Sequence, residues 1–182
     1  MLGVQIMGIL KFKNNLNSKN YLAVSVLGNS LKLNVKYLNI SKIELNKTNT
    51  EINLLLPKKY KNIDNMEVIN LSIQKLYDRI AETEIEYAME VARHILRFAP
   101  EDYSIKRLEN EFYKCSKNKI IVNPDIVRFS REVINTTIIQ AFCKTKYRQN
   151  SENYKKLLLD AMNKYEIYNK KNYTNYKFVK VS

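Results

Sequence analysis

Cys115, Cys143 and His94 are the thiol and imidazole side chains of this 182-residue chain, the types that serve near neutral pH as nucleophiles, bases or soft metal ligands. Each would need a partner to do chemistry. A cysteine nucleophile needs a base or a strong cation beside it, and Lys114 is the only cation adjacent to Cys115 in sequence. With one histidine in the chain, no two-imidazole metal site can form. His94 lies in Val91-Ala92-Arg93-His94-Ile95-Leu96, beside an apolar helical stripe, which reads as a structural or surface histidine. Cys143 reads as a buried thiol. Glu82, Glu84, Glu86 and Glu90 include three residues at i, i+4 spacing; a solvated acidic helix face is the ordinary meaning of such a run. Three glycines leave little room for a phosphate-cradling loop.

A second chemistry is carried by Lys144, Lys146, Tyr147, Arg148, Tyr154, Lys155 and Lys156, where cations alternate with rings. Rings stack on bases while cations hold phosphates, so this pattern suits single strands and other anions. Net charge is +13 and uneven. Residues 113–182 carry fifteen Lys/Arg against five Asp/Glu, whereas residues 65–112 carry six against ten. Such a basic field draws polyanions and weakens with salt. A bias to Lys, Asn, Ile and Tyr explains part of the excess but not the acidic middle.

The elements that would position these groups follow from periodicity. Ile6–Phe12, Tyr21–Leu27, Leu31–Leu38, Ser41–Leu45 and Glu51–Leu56 are short apolar or alternating runs, read as an antiparallel meander with a turn at Gly28-Asn29-Ser30. After Pro57 the period becomes helical. Asp64 and Glu67 form a capping-box-like start, and a stripe from Ile69 to Leu96 ends before Pro100, with a possible break near Ala81–Thr83. Lys119–Asn123 is a strand closed by Pro124. Ser130 caps a helix to about Lys146. Ser151 caps another, with the stripe Tyr154, Leu157, Leu158, Ala161, Met162 and Tyr165. The Asn/Lys/Tyr-rich tail, 169–182, is expected to be mobile or to add a strand at Tyr176–Val181. The fold class is α+β in one domain spanning 1–182: a meander over 1–60, a long helix over 64–98, a core over 105–168, then the tail.

Set in this order, several segments resemble the YgjP-like metallopeptidase domain, a relative of the SprT-like zinc proteases with a zincin-like scaffold. Leu55-Leu56-Pro57 matches the end of that family's meander. Cys115-Ser116 and the strand ending at Asn123 match its loop and strand, Val133–Ile139 matches the apolar lead-in to its metal helix, and Ser151 and Tyr154 match the Ser and aromatic that follow its third ligand. The resemblance implies a His-Glu-x-x-His zinc site and a third histidine. Here those positions are Gln140, Ala141, Lys144 and Asn150, with Phe142 and Cys143 between, and the Arg-Trp-Gly-Ser before the family's Cys-Ser is Glu111-Phe112-Tyr113-Lys114. Gln is a poor zinc ligand, Ala accepts no proton, and a protonated Lys repels the ion.

The reading is therefore a pseudoenzyme without metal or cofactor, kept as a cytoplasmic binding protein with no membrane contact. On a helix Lys144 and Arg148 share a face with Gln140, so the former metal cleft becomes cationic. Its partner would be nucleic acid or a nucleoprotein complex, as in a phage or mobile-element inhibitor of host defence such as an anti-CRISPR. A structural protein that oligomerises is the alternative, ahead of an enzyme with unfamiliar catalytic groups. The apolar start has no basic residues before it and no small-residue cleavage site, a poor match to a signal peptide.

Overall fold

Four strands, a long helix, three strands and two helices follow one another in a computed structural model that describes residues 22–62, 65–116 and 118–179. This is the α+β class the sequence predicts. The expected strand at Ile6–Phe12 and the expected cap Asp64 lie outside the described residues.

Strands β1 (Leu22–Val26), β2 (Asn29–Leu38), β3 (Glu44–Lys47) and β4 (Glu51–Pro57) make a mixed sheet in the order β1-β2-β4-β3. Alternation places Leu31 and Leu33 of β2, and Ile52, Leu54 and Leu56 of β4, on one buried face. The expected antiparallel meander is corrected at one pairing. β2 runs parallel to β4, from Lys32 opposite Glu51 to Leu38 opposite Pro57, and β3 pairs antiparallel on the far side of β4. The hairpin between β1 and β2 turns on Leu27 and Gly28, both at positive φ (51° and 79°), as a two-residue turn of the primed type requires. Glycine also spares position 28 a tight contact, because a Cβ there would stand 3.1 Å from Cβ of Ser130. The turn's amides are also spoken for: Leu27 N donates to Val127 O at 2.7 Å and Gly28 N to Arg128 O at 3.2 Å.

Helix α1 (Met66–Leu96) is 31 residues long, about 46 Å at the helical rise, and covers the buried face of the sheet. It is continuous. The expected break near Ala81–Thr83 does not occur, because Ala81 and Glu84, both buried, fill the phase gap between Tyr77 and Ile85. Asn65 stands at its N-cap, and Arg97 ends it in a left-handed conformation (φ 59°) three residues before Pro100. Tyr77 Oη donates to Ser25 O at 3.0 Å, pinning helix to sheet.

Strands β5 (Asp102–Ile105), β6 (Tyr113–Ser116) and β7 (Lys119–Val122) form a second sheet, order β5-β7-β6, with β5 parallel and β6 antiparallel to β7. Only β7 is apolar enough to be read from sequence. Helix α2 (Arg131–Lys146) begins at Ser130, whose hydroxyl accepts from Val133 N. It packs against α1, against β6 and β7, and against α3 (Glu152–Val179). Ser151 Oγ accepts from Tyr154 N at 3.2 Å, as its capping position implies. The expected late strand from Tyr176 is corrected, since α3 stays helical through Val179.

Two polar anchors hold the segment between β5 and α2. Asn123 is buried; its Nδ2 donates to Leu108 O and Glu111 O, each at 3.0 Å, and its Oδ1 accepts from Asp125 N at 3.1 Å. Arg107 bridges Asp78 of α1 and Asp125, each at 2.6 Å, and donates to Gln74 O at 2.9 Å.

Candidate functional site

The positions expected from the sequence to stand where a metal helix would hold its ion fall in the C-terminal half of α2, whose burial is set by packing on three sides. Ile138, Ile139, Ala141, Phe142 and Cys143 are fully buried, leaving Gln140 and Lys144, one turn apart, half-exposed on a single face. β6 lies alongside: Cys115 Sγ donates to Ala141 O at 3.5 Å. Lys144 Nζ stands 5.4 Å from the Tyr113 ring centroid, a cation–π contact. Lys146 Nζ lies 4.8 Å from the ring of Phe98 and 5.9 Å from that of Tyr147, the residue that ends the helix. β6, α2 and α3 thus bring Tyr113, Cys115, Cys143, Lys144 and Tyr154 into one neighbourhood.

Electrostatically this neighbourhood keeps its acids protonated. Burial pushes the Cys143 thiol up to about 11. Burial also raises the Cys115 thiol, with the Lys144 ammonium pulling the other way and losing. The Tyr113 phenol is raised first by burial and then by Tyr154 and the two cysteines; Tyr154 is raised by burial and then by Cys143 and Cys115. A thiol nucleophile needs the opposite environment, a depressed pKa beside a base. The cation acting on Cys115 is Lys144, across the helix–strand contact, rather than its neighbour Lys114.

Several of the residues singled out from sequence sit differently from expectation. Arg148 lies two residues beyond the end of α2, so it does not continue the face of Gln140 and Lys144. Tyr154 is 8% exposed and cannot offer its ring to a base; its membership of the stripe with Leu157 and Ala161 was the signal for this. Lys155 is exposed and paired with Glu152 at 2.8 Å, while Lys156 and Arg148 are exposed. Asn150 occupies the turn between α2 and α3 with φ 71°, a conformation asparagine tolerates well.

The acidic run of α1 does not gather. Glu84 turns inward and is held by Arg131, whose Nε and Nη2 reach its two oxygens at 2.7 and 2.6 Å, while Glu90 pairs with Arg93 on the surface. His94 is a surface residue with its ring 5.5 Å from that of Tyr168. Glu84–Arg131 was beyond sequence reasoning because its partners are 47 positions apart.

A zinc ion held by a helix of this kind needs two imidazoles one turn apart and a carboxylate between them. The chain offers a carboxamide at Gln140, a methyl at Ala141, an ammonium at Lys144 and a carboxamide at Asn150. No group of three or more His, Cys, Asp or Glu with ligand geometry forms among the described residues. This donor set does not fit zinc.

The family model for the YgjP-like metallopeptidase domain matches residues 9–171. No match was found among curated proteins or among solved structures. No helix among the described residues is long and apolar enough to cross a membrane.

Proposed function

This chain belongs to the YgjP-like metallopeptidase domain family, and from that premise we propose that it is a non-catalytic member which binds an anionic partner through the altered metal face of α2. The observation that carries the reading is Lys144. An ammonium set against Tyr113 at a metal-ligand position disfavours a divalent cation and attracts an anion. Lys146 ends α2 and Arg148 follows it, both exposed, and Lys156 is an exposed cation of α3. Nucleic acid, or the acidic surface of a complex that handles it, is the partner class that such a field suits. An inhibitor of host defence carried by a phage or mobile element is a biological setting in keeping with this, by analogy alone.

The test is fluorescence anisotropy with a 20-nucleotide single strand and a matched duplex, across a salt series. Lys144→Glu/Lys146→Glu/Arg148→Glu should abolish binding while leaving the thermal transition in place. Unchanged binding in this variant would remove the α2 face from consideration.

Self-association through α3 is the second reading, favoured by Leu159 and Ile167, which are 65% and 56% exposed. A mass that rises with concentration in light scattering, with no response to nucleic acid, would support it over the first.

A further inference from the structure

The opposite end of α2 borders a second feature that the metal face does not explain. Between β3, the β1–β2 turn and the middle of α1 runs an open groove of about 500 Å³, within the range of natural ligand sites. Its floor is aliphatic: Leu27, Leu45, Leu76 and Ile80. Its rim is cationic: Lys47 from β3, Arg79 from α1 and Arg131 from the start of α2. Thirteen positions along α2 separate Arg131 from Lys144, about 20 Å at the helical rise, so the groove is distinct from the metal face.

Charge in the groove is unbalanced in a definite direction. Its one carboxylate, Glu84, is occupied by the fork of Arg131. Lys47 and Arg79 are exposed and make no ion pair or hydrogen bond among the described residues. Two cations beside an aliphatic floor call for a ligand with an apolar part and a carboxylate close by.

The sheet says what shape that ligand has. β3 pairs with β4 on one side, and among the described residues its other edge carries no strand. Leu45 and Lys47, two positions apart, both line the groove. A strand laid on that edge would repeat the spacing, putting one side chain against Leu45 and Ile80 and the next but one beside Lys47 and Arg79. Backbone pairing would supply affinity and the two alternate positions specificity. The chain's own residues 1–21 carry three lysines and no carboxylate, so they lack the charge that complements Lys47 and Arg79.

We propose that this groove binds an extended acidic peptide segment of a partner protein, with an aliphatic residue and a carboxylate two positions apart, added to the outer edge of β3. The site is independent of the α2 face, and the test keeps the two separable.

The experiment is anisotropy of the full-length protein with a labelled octapeptide that alternates Thr with Leu and Glu in turn, placing Leu and Glu on one side. A control peptide carries Lys in place of Glu. The expected result is saturable binding of the Glu peptide, at least tenfold weaker for the Lys peptide and for Lys47→Glu/Arg79→Glu. Both substitutions are on exposed side chains, and an unchanged thermal transition confirms that the fold survives. Lys144→Glu/Lys146→Glu/Arg148→Glu should leave peptide affinity unaltered, so failure of the nucleic-acid reading would show in that variant and not here. Equal affinity for the two peptides, indifference to the Lys47/Arg79 reversal, or absence of saturable binding would overturn the proposal. So would binding of decanoate without the peptide, which would assign the groove to a free aliphatic carboxylate.

Discussion

Thiol reactivity measures directly whether the α2–β6 neighbourhood is built for chemistry. The perturbation is a short pulse of iodoacetamide on the native protein at pH 8, followed by digestion and mass spectrometry of the two cysteine peptides. An ordinary thiol near 8.5 is about a quarter ionised at that pH, whereas Cys143, pushed up to about 11, is ionised to roughly one part in a thousand. Its thiolate is thus about two hundredfold scarcer than that of a free cysteine. Full burial slows it further, because the reagent must wait for a local opening. Cys115 is half-buried and raised with Lys144 in opposition, so it should react faster than Cys143 but slower than the same residue in urea. Lys144→Met should slow Cys115 again by removing the cation that favours its thiolate. Alkylation of either cysteine in the native protein at or above its rate in urea would refute this account and reopen the cysteine-enzyme reading.

Two further outcomes concern stability. Cys143, Cys115, Tyr113 and Tyr154 all have folded pKa values raised above their unfolded ones, so the stability they confer is complete below the unfolded values and is lost as pH climbs toward the folded ones. The melting temperature should therefore begin to fall near pH ~9 and steepen beyond ~10, where free thiols and phenols ionise; a flat profile to pH ~11 would contradict it. Asn123→Ala removes three hydrogen bonds and strands the Leu108 and Glu111 carbonyls, at a cost of about 2–4 kcal/mol in urea denaturation. A loss under ~1 kcal/mol would mean that water replaces the amide.

What the sequence discloses is what is local. α1 and α3 are readable because an apolar stripe recurs with helical period, and α2 and α3 because Ser130 and Ser151 cap them through their own hydroxyls. β5 and β6, each four residues long with mixed polarity, carry too little pattern to be distinguished from loop. Alternation in β2 and β4 fixes which side chains are buried but says nothing about which strand lies beside which, so their parallel pairing is invisible. At the candidate site the sequence locates Gln140, Ala141 and Lys144 on one helix. It cannot show that Lys144 reaches across to Tyr113, since β6 comes alongside α2 only through tertiary packing.

The parallel pairing of β2 with β4 also dictates an order of events. Each neighbouring hairpin closes over a short connection, Leu27-Gly28 in one case and the residues between Lys47 and Glu51 in the other, and such hairpins form within about 1–10 μs. The ladder from Lys32–Glu51 to Leu38–Pro57 joins two already formed units across a connection that contains β3 itself. Its closure entropy is met before any of its contacts form, so this joining is expected to be the slowest step of sheet assembly. Until it happens the β3–β4 hairpin has no fixed place beside α1, and the groove between β3 and α1 is complete only once the two units have joined.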